Sequence, residues 1–376
     1  MAPNPLQQSL RVAVLWGLIL WVSGCGAPPA ASEDDLGQDP CHDRFAPGET
    51  VHVVATTGQI GDVVSMLAGL KPLDPTLWTV AELTRRSSWN PDGFEPDAAE
   101  ATAHLQIVPT GVSITVSTVL GPGTDPHLFN PSLRDAETLN NADVIFYNGL
   151  HLEAQMLKAM AELAQSHCVV PVGDVLMARP ELQALFIHSS EGVVDPHIWN
   201  SPTLWTAATR LMAETLDRAI QGEQPALHRN AEAITARIRQ AESLIRQMFS
   251  SENLPVKYLV TAHDAFGYYA QLAELENIGL QGLSTETEVS AFDVQAIAAL
   301  IVEKQIPAMF VESSVSEEAI RAVQAAAAAQ AWDVQLGGEL YSDALGPQGS
   351  PGDTYLGMLQ HNTLTIFNAL ARTSAQ

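Results

Sequence analysis

The chain has 376 residues, 46% of them hydrophobic and only 16% charged, which excludes a disordered tract and leaves room for two ordinary domains with buried cores. A formal net charge of −25 argues against nucleic acid or an anionic membrane surface as a partner, because both would repel such a surface. The same charge is compatible with attracting cations, but by itself it names no ligand.

At the N-terminus, Arg11 is followed by the apolar run VAVLWGLILWV, Val12 to Val22, and then by SGCG. The run is too short to span a bilayer comfortably, so residues 1–24 read as a signal peptide. Val22-Ser23-Gly24-Cys25 has the pattern of a bacterial lipobox, in which the cysteine is lipidated and becomes the first mature residue, so Cys25 is read as an anchor. The Pro-, Gly- and acid-rich stretch after it predicts a flexible tether over 25–48. Cys41 and Cys168 remain; an oxidising compartment would let them pair if their Cα atoms come within disulfide range, a distance the sequence leaves open.

From His52 a β-rich run, VHVVAT, precedes the helix-like IGDVVSMLAGL; past an interruption come VSITVSTVL, the helix-like SLRDAETLNNA and the strand DVIFYNG. Such alternation predicts a parallel sheet flanked by helices, the first lobe, over 49–223. The interruption, over 71–110, is rich in Pro, Gly and acids without a sustained period, and reads as a surface insertion. Ile234, Ile238, Leu244 and Met248 then recur at helical spacing, predicting a connecting helix over 224–252. KYLVTA, FDVQAIAALIVEK, PAMFVES, EEAIRAVQAAAAAQ, WDVQLGGEL and TYLGMLQHNTLTIFNALA alternate again and make a second lobe over 253–376. The expected fold class is therefore α/β, two lobes, each a parallel-sheet α/β sandwich, joined by one long rigid backbone helix.

Eleven histidines occur, and most must be structural or on the surface. His52 lies in a strand pattern, His228 and His361 lie in helix patterns, and His42 lies in the tether; His104, His151, His167 and His188 carry no partner motif. His127 and His197 differ, because each closes an Asp-Pro-His tripeptide followed by an apolar and an aromatic residue, in GPGTDPHLFN and VVDPHIWNSP. Either these are two turns in which proline holds the preceding Asp extended, or each loop presents one imidazole to a shared centre. His263 follows the strand run YLVTA, at the end where open α/β sheets bind ligands, and Asp343 follows a further strand candidate. With two residues from each lobe, His127, His197, His263 and Asp343 make three imidazoles and a carboxylate, a complete set for a borderline divalent cation held between lobes. Asp125 and Asp195 are placed to orient the histidine rings from behind.

The segments GPGTDPHLF, ADVIFYNGLHLEAQM, VDPHIW, VTAHDAFGYY, GLQGLSTETE, PAMFVESSV, GGELYSDALG and GDTYLGMLQHNTLTI resemble the metal-binding lipoproteins of ABC importers, the TroA-type subgroup of zinc and manganese receptors. The likeness runs from about Val51 to Ala371 and implies two α/β lobes, a rigid backbone helix, and a metal held by the residues matching His127, His197, His263 and Asp343. It also implies a lipid-anchored, extracytoplasmic, monomeric receptor that hands Zn2+ or Mn2+ as cargo to a membrane permease driven by an ATPase. The 71–110 insertion departs from the family, as does FNPSLRD after the first Asp-Pro-His. The histidine-rich loop of dedicated zinc receptors is missing, while manganese receptors typically carry Glu where this chain has His263. No GxxxxGK[ST] occurs, so ATPase activity must belong to a partner. Two alternatives stand beside the receptor: a zinc hydrolase or lyase with Asp343 or Glu312 as base, and a metal-binding surface adhesin. Glu312 is equally placed to orient a ligand from behind, and no HExxH supports the enzyme.

Overall fold

The computed structural model describes residues 41–46, 48–91, 111–250, 254 and 256–371. The expected signal peptide, Cys25, most of the tether, His104 and the insertion from 92 to 110 lie outside the described residues. In the first lobe β1 (Thr50–Ala55) runs inside a parallel sheet of order β2-β1-β3-β4, with β2 (Ser113–Thr118), β3 (Val144–Tyr147) and β4 (Cys168–Pro171). Val53 pairs with Val116 on one side and Val144 on the other. Strands covered on both faces favour runs of β-branched residues over strict alternation, which is why Val51, Val53, Val54 and Ala55 are all buried.

Helices α1 (Gly58–Leu67), α2 (Val80–Arg86), α3 (Leu133–Asn140), α4 (Leu157–Leu163), α5 (Val172–Met177) and α6 (Pro202–Ala219) complete this lobe. α3 begins at a capping box in which Ser132 and Asp135 satisfy each other's backbone N–H groups. α7 (Pro225–Met248) follows, 24 residues and about 36 Å long at the standard helical rise. It starts with Pro225, whose missing N–H costs nothing at that position. Ile234, Ile238, Leu244 and Met248 are all buried, and α7 packs on α1 and α6 in one lobe.

The second lobe departs from a single sheet: β5 (Tyr258–His263) pairs with β6 (Glu276–Gln281), following α8 (Gly267–Leu272), and β7 (Ala308–Glu312) pairs separately with β8 (Gln335–Leu340). Both pairs are parallel, and β5 and β7 lie side by side. α9 (Ala291–Glu303), α10 (Glu318–Ala328) and α11 (Tyr355–Ala371) cover them. α7 also touches α8 and α11, so one helix offers packing surface to both lobes. The main hydrophobic core runs through it without a break, from Val53 and Phe146 by way of Ile238 and Leu244 to Phe310 and Phe367.

Two stretches behave differently from their sequence expectation. Residues 71–91, read as the start of a surface insertion, are instead a strap built into the core. Trp78 is fully buried, donates its backbone N–H to Gln360 Oε1 (2.6 Å) and its indole N–H to Leu356 O (3.0 Å), both on α11. Leu83 and Trp89 are buried beside it, and Asn368 donates to Arg86 O. The prolines and polar residues of this stretch hid a few large apolar side chains, of which Trp78 is anchored far away in sequence. The second stretch lies within the expected tether. Cys41 is disulfide-bonded to Cys168 at the start of β4, with Cα atoms 4.8 Å apart. Asp43 N and Arg44 N donate to Arg218 O and Ala219 O, so the chain is fastened from Cys41 onward. No described helix is long and apolar enough to cross a membrane.

Candidate metal centre

The two Asp-Pro-His tripeptides fold alike. Asp125 Oδ1 accepts the backbone N–H of His127 (2.8 Å), and Asp195 Oδ1 accepts that of His197 (2.9 Å), so each proline-stiffened loop closes on its own aspartate and turns its histidine inward. Ahead of the first, Gly123 holds φ +69° while a Cβ there would lie 3.2 Å from Ser313 O of the second lobe. Only glycine meets both the left-handed backbone and the close approach. His263 ends β5, where its backbone N–H donates to Glu312 Oε1 at the end of β7 (2.9 Å). Asp343 follows β8; the preceding Ser342 accepts the Trp199 indole N–H (2.9 Å), tying this loop to the one bearing His197.

These elements bring His127, His197, His263 and Asp343 together, with one ligating atom from each within 4.8 Å of the others. Asp343 Oδ2 lies 3.2 Å from His263 Nε2 and 3.8 Å from His127 Nε2, and its Oδ1 lies 3.5 Å from His197 Nε2. The ring centroids are 5.2 to 5.8 Å apart and mutually edge-on, as they must be for three imidazoles to aim at one point. His197 and His263 are 0% exposed, Asp343 2% and His127 3%. All three Nε2 atoms and both Asp343 oxygens are buried without a hydrogen-bond partner among the described residues. Buried polar atoms are rarely left so, and five facing one point are the donor set of a cation site. The site is therefore able to hold a divalent metal.

Behind the ligands, Asp195 Oδ1 lies 2.7 Å from His197 Nδ1 and Glu312 Oε2 lies 2.6 Å from His263 Nδ1. At His197 the Asp195 carboxylate can thus hold a proton on Nδ1 and turn Nε2 toward the centre, while Glu312 faces His263 Nδ1 as an ion-pair partner. Gly267 leaves room for this arrangement, since a Cβ there would fall 2.8 Å from Asp195 Oδ2. Asp125 is placed otherwise than its twin: its second oxygen accepts the hydroxyl of Thr285 (2.6 Å), not the His127 ring. Burial pushes Asp125 above the ordinary carboxylate range, against the Thr285 hydrogen bond.

Burial lowers the His127 pKa to about 4, only partly offset by Asp343. Burial acts the same way on His263, but the flanking carboxylates of Glu312 and Asp343 outweigh it and hold His263 well above the usual imidazole value. Asp343 is fully buried, which alone would raise it; the three imidazoles, His263 foremost, keep it well below the carboxylate range.

The remaining described histidines stand apart. His52 contacts Thr115 on the sheet, His228 pairs with Asp217 and His361 meets the backbone of Glu339. Sequence reading passed over Thr285, Tyr268 and Trp199, which tie the loops together. Their partners lie 160, 73 and 143 residues away, so no local pattern could announce them.

Residues 105–369 match the family described as ZnuA, zinc-uptake complex component A, periplasmic. Among similar proteins, the zinc-binding protein TroA of Treponema pallidum (strain Nichols) is 39% identical over 254 residues, 68% of this chain and 81% of that protein. The manganese-binding lipoprotein MntA of Bacillus subtilis (strain 168) is 37% identical over 261 residues, 69% of this chain and 84% of that protein. Among solved structures, the periplasmic zinc binding protein TroA from Treponema pallidum superposes with a TM-score of 0.70 at 32% identity, covering 86% of this chain and 100% of that one.

Proposed function

The chain belongs to the family of periplasmic component A proteins of zinc-uptake complexes, and on that footing we propose that it captures a divalent transition metal outside the cytoplasm and delivers it to an ABC permease. His127, His197, His263 and Asp343 are the ligands in this reading, two from each lobe. The observation that carries it is the convergence of three Nε2 atoms and a carboxylate, all without hydrogen-bond partners among the described residues, in a buried site. A catalytic metal needs an open position for water or substrate, whereas four protein ligands that close the shell suit capture and release. No chemistry on a bound substrate is assigned to the site.

Zinc is the favoured cargo and manganese the second. Nitrogen-rich donors follow an affinity order that places zinc well above manganese, and the similar proteins named above include binders of each. Permease and ATPase act as separate partners, the lipid on Cys25 holds the receptor at the membrane, and the protein works as a monomer. The lobes divide at α7, as 49–223 and 253–376. Elemental analysis of protein purified without added metal, followed by competition titrations with Zn2+ and Mn2+, tests the reading. One zinc per chain with manganese displaced is the expected result, and a metal-free protein that binds neither ion would sink it.

A further inference from the structure

The loop between β6 and α9 is held firmly by its own lobe. At its start Gln281 Nε2 donates to Thr287 O (2.8 Å) and Thr285 O (3.3 Å); at its end Ser290 and Asp293 form a capping box on α9. Gln281 is also the strand partner of His263. From this braced loop the Thr285 side chain, 7% exposed, reaches across to the other lobe and donates to Asp125 Oδ2 (2.6 Å), while Asp125 Oδ1 takes the His127 N–H. A connected series therefore runs from one histidine to another: His263, Gln281, Thr285, Asp125, His127. His197 and His263 have carboxylates against Nδ1, but among the described residues no carboxylate plays that part for His127. Its placement depends on its backbone turn, and so on the group that holds Asp125.

We propose that Thr285 is a positioning residue for metal retention: its hydroxyl, through the Asp125 carboxylate, fixes the His127 loop against the lobe that carries His263. This rests on the four-ligand reading of the site. Release of metal then requires the Thr285–Asp125 bond to part, because His127 cannot withdraw while its turn is held from the opposite lobe.

The test uses the full chain loaded with Zn2+ and follows zinc release into an excess of a chromogenic chelator. Thr285→Val keeps the shape and removes the donor, and should release zinc about 10-fold faster, the lower end of what loss of a ligand's supporting hydrogen bond costs. Thr285→Ser restores the hydroxyl and should release zinc close to the wild-type rate, with metal-free melting temperatures near wild type for both. Wild-type release from Thr285→Val would overturn the proposal, as would equal acceleration in both variants or a melting temperature that falls in step with the rate. Asp343→Ala separates the two claims: retention of wild-type zinc affinity there would overturn the four-ligand reading and the positioning role with it, while loss of affinity there beside an unaltered Thr285→Val removes the positioning role alone.

Discussion

Each of the four residues proposed as ligands sits at the end of a strand or in a stiff loop, and none fills a hydrophobic core. Changing His127, His197, His263 or Asp343 to Ala should therefore cost metal affinity at least 10-fold while leaving the metal-free fold intact, read by titration and by far-UV circular dichroism. His228→Ala, distant and half-exposed beside Asp217, should leave affinity unchanged. Proton linkage follows from the environments of the rings. The sequence suggests an affinity that declines as three ordinary imidazoles protonate below about pH 6.5. The site divides that behaviour: burial lowers His127 to about 4, so it is already neutral at pH 6, whereas Glu312 and Asp343 hold His263 in the opposite direction, well above the usual imidazole value. Affinity should then follow the proton on His263 more than the one on His127, rising with pH as that raised imidazole gives up its proton to the metal. Calorimetry in buffers of different ionisation enthalpy counts that proton, and an affinity independent of pH between 5 and 8 would contradict the assignment. The sign for stability without metal is opposite at the two rings. His127 contributes stability above about pH 6.5 that is lost as the pH falls toward 4, and His263 contributes stability below 6.5 that is lost as the pH rises through its elevated pKa.

Among the elements, those with a strong period were legible from sequence, and those defined by a distant partner were not. VHVVAT, DVIFYNG and the apolar spacing of α7 announced themselves, because burial on both faces of a sheet or along one helical stripe leaves a pattern in neighbouring residues. β6 did not: in ENIGLQ only Leu280 is buried, and what makes it a strand is its pairing with β5. β4 spans four residues and ends on a proline, too short for alternation to register. The strap was misread for the same reason, since Trp78 is a core residue by virtue of α11, which lies 278 residues on. Trp78→Ala should destabilise the protein by about 3–5 kcal/mol, the usual cost of emptying a large aromatic site, as measured by chemical denaturation. The cluster of four candidate ligands was legible because the chemistry of metal binding restricts such groups to a few residue types, and the Asp-Pro-His repeat marked two of them. Their supports were not, because a threonine hydroxyl in STETE looks like any other polar loop residue.

On the scale of the whole molecule, the continuous core through α7, the strap against α11 and the hydroxyl contacts of Thr285 and Tyr268 all join the lobes. Capture of metal should consequently order local loops and leave the lobes nearly fixed. Small-angle scattering with and without Zn2+ should give nearly the same radius of gyration, and a marked contraction would count against a rigid connection. Thermal stability should rise with the logarithm of free metal over its dissociation constant. The disulfide has a consequence of another kind, in the mechanics of the receptor if the proposed lipid on Cys25 leashes it. Tension on such a leash enters the folded body at Cys41 and passes through the sulfur bridge to Cys168 on β4, the edge strand of its sheet, before it reaches β1 in the interior. Reducing the bridge would let the load peel toward β1, the strand whose neighbours lead into both the core and the His127 loop.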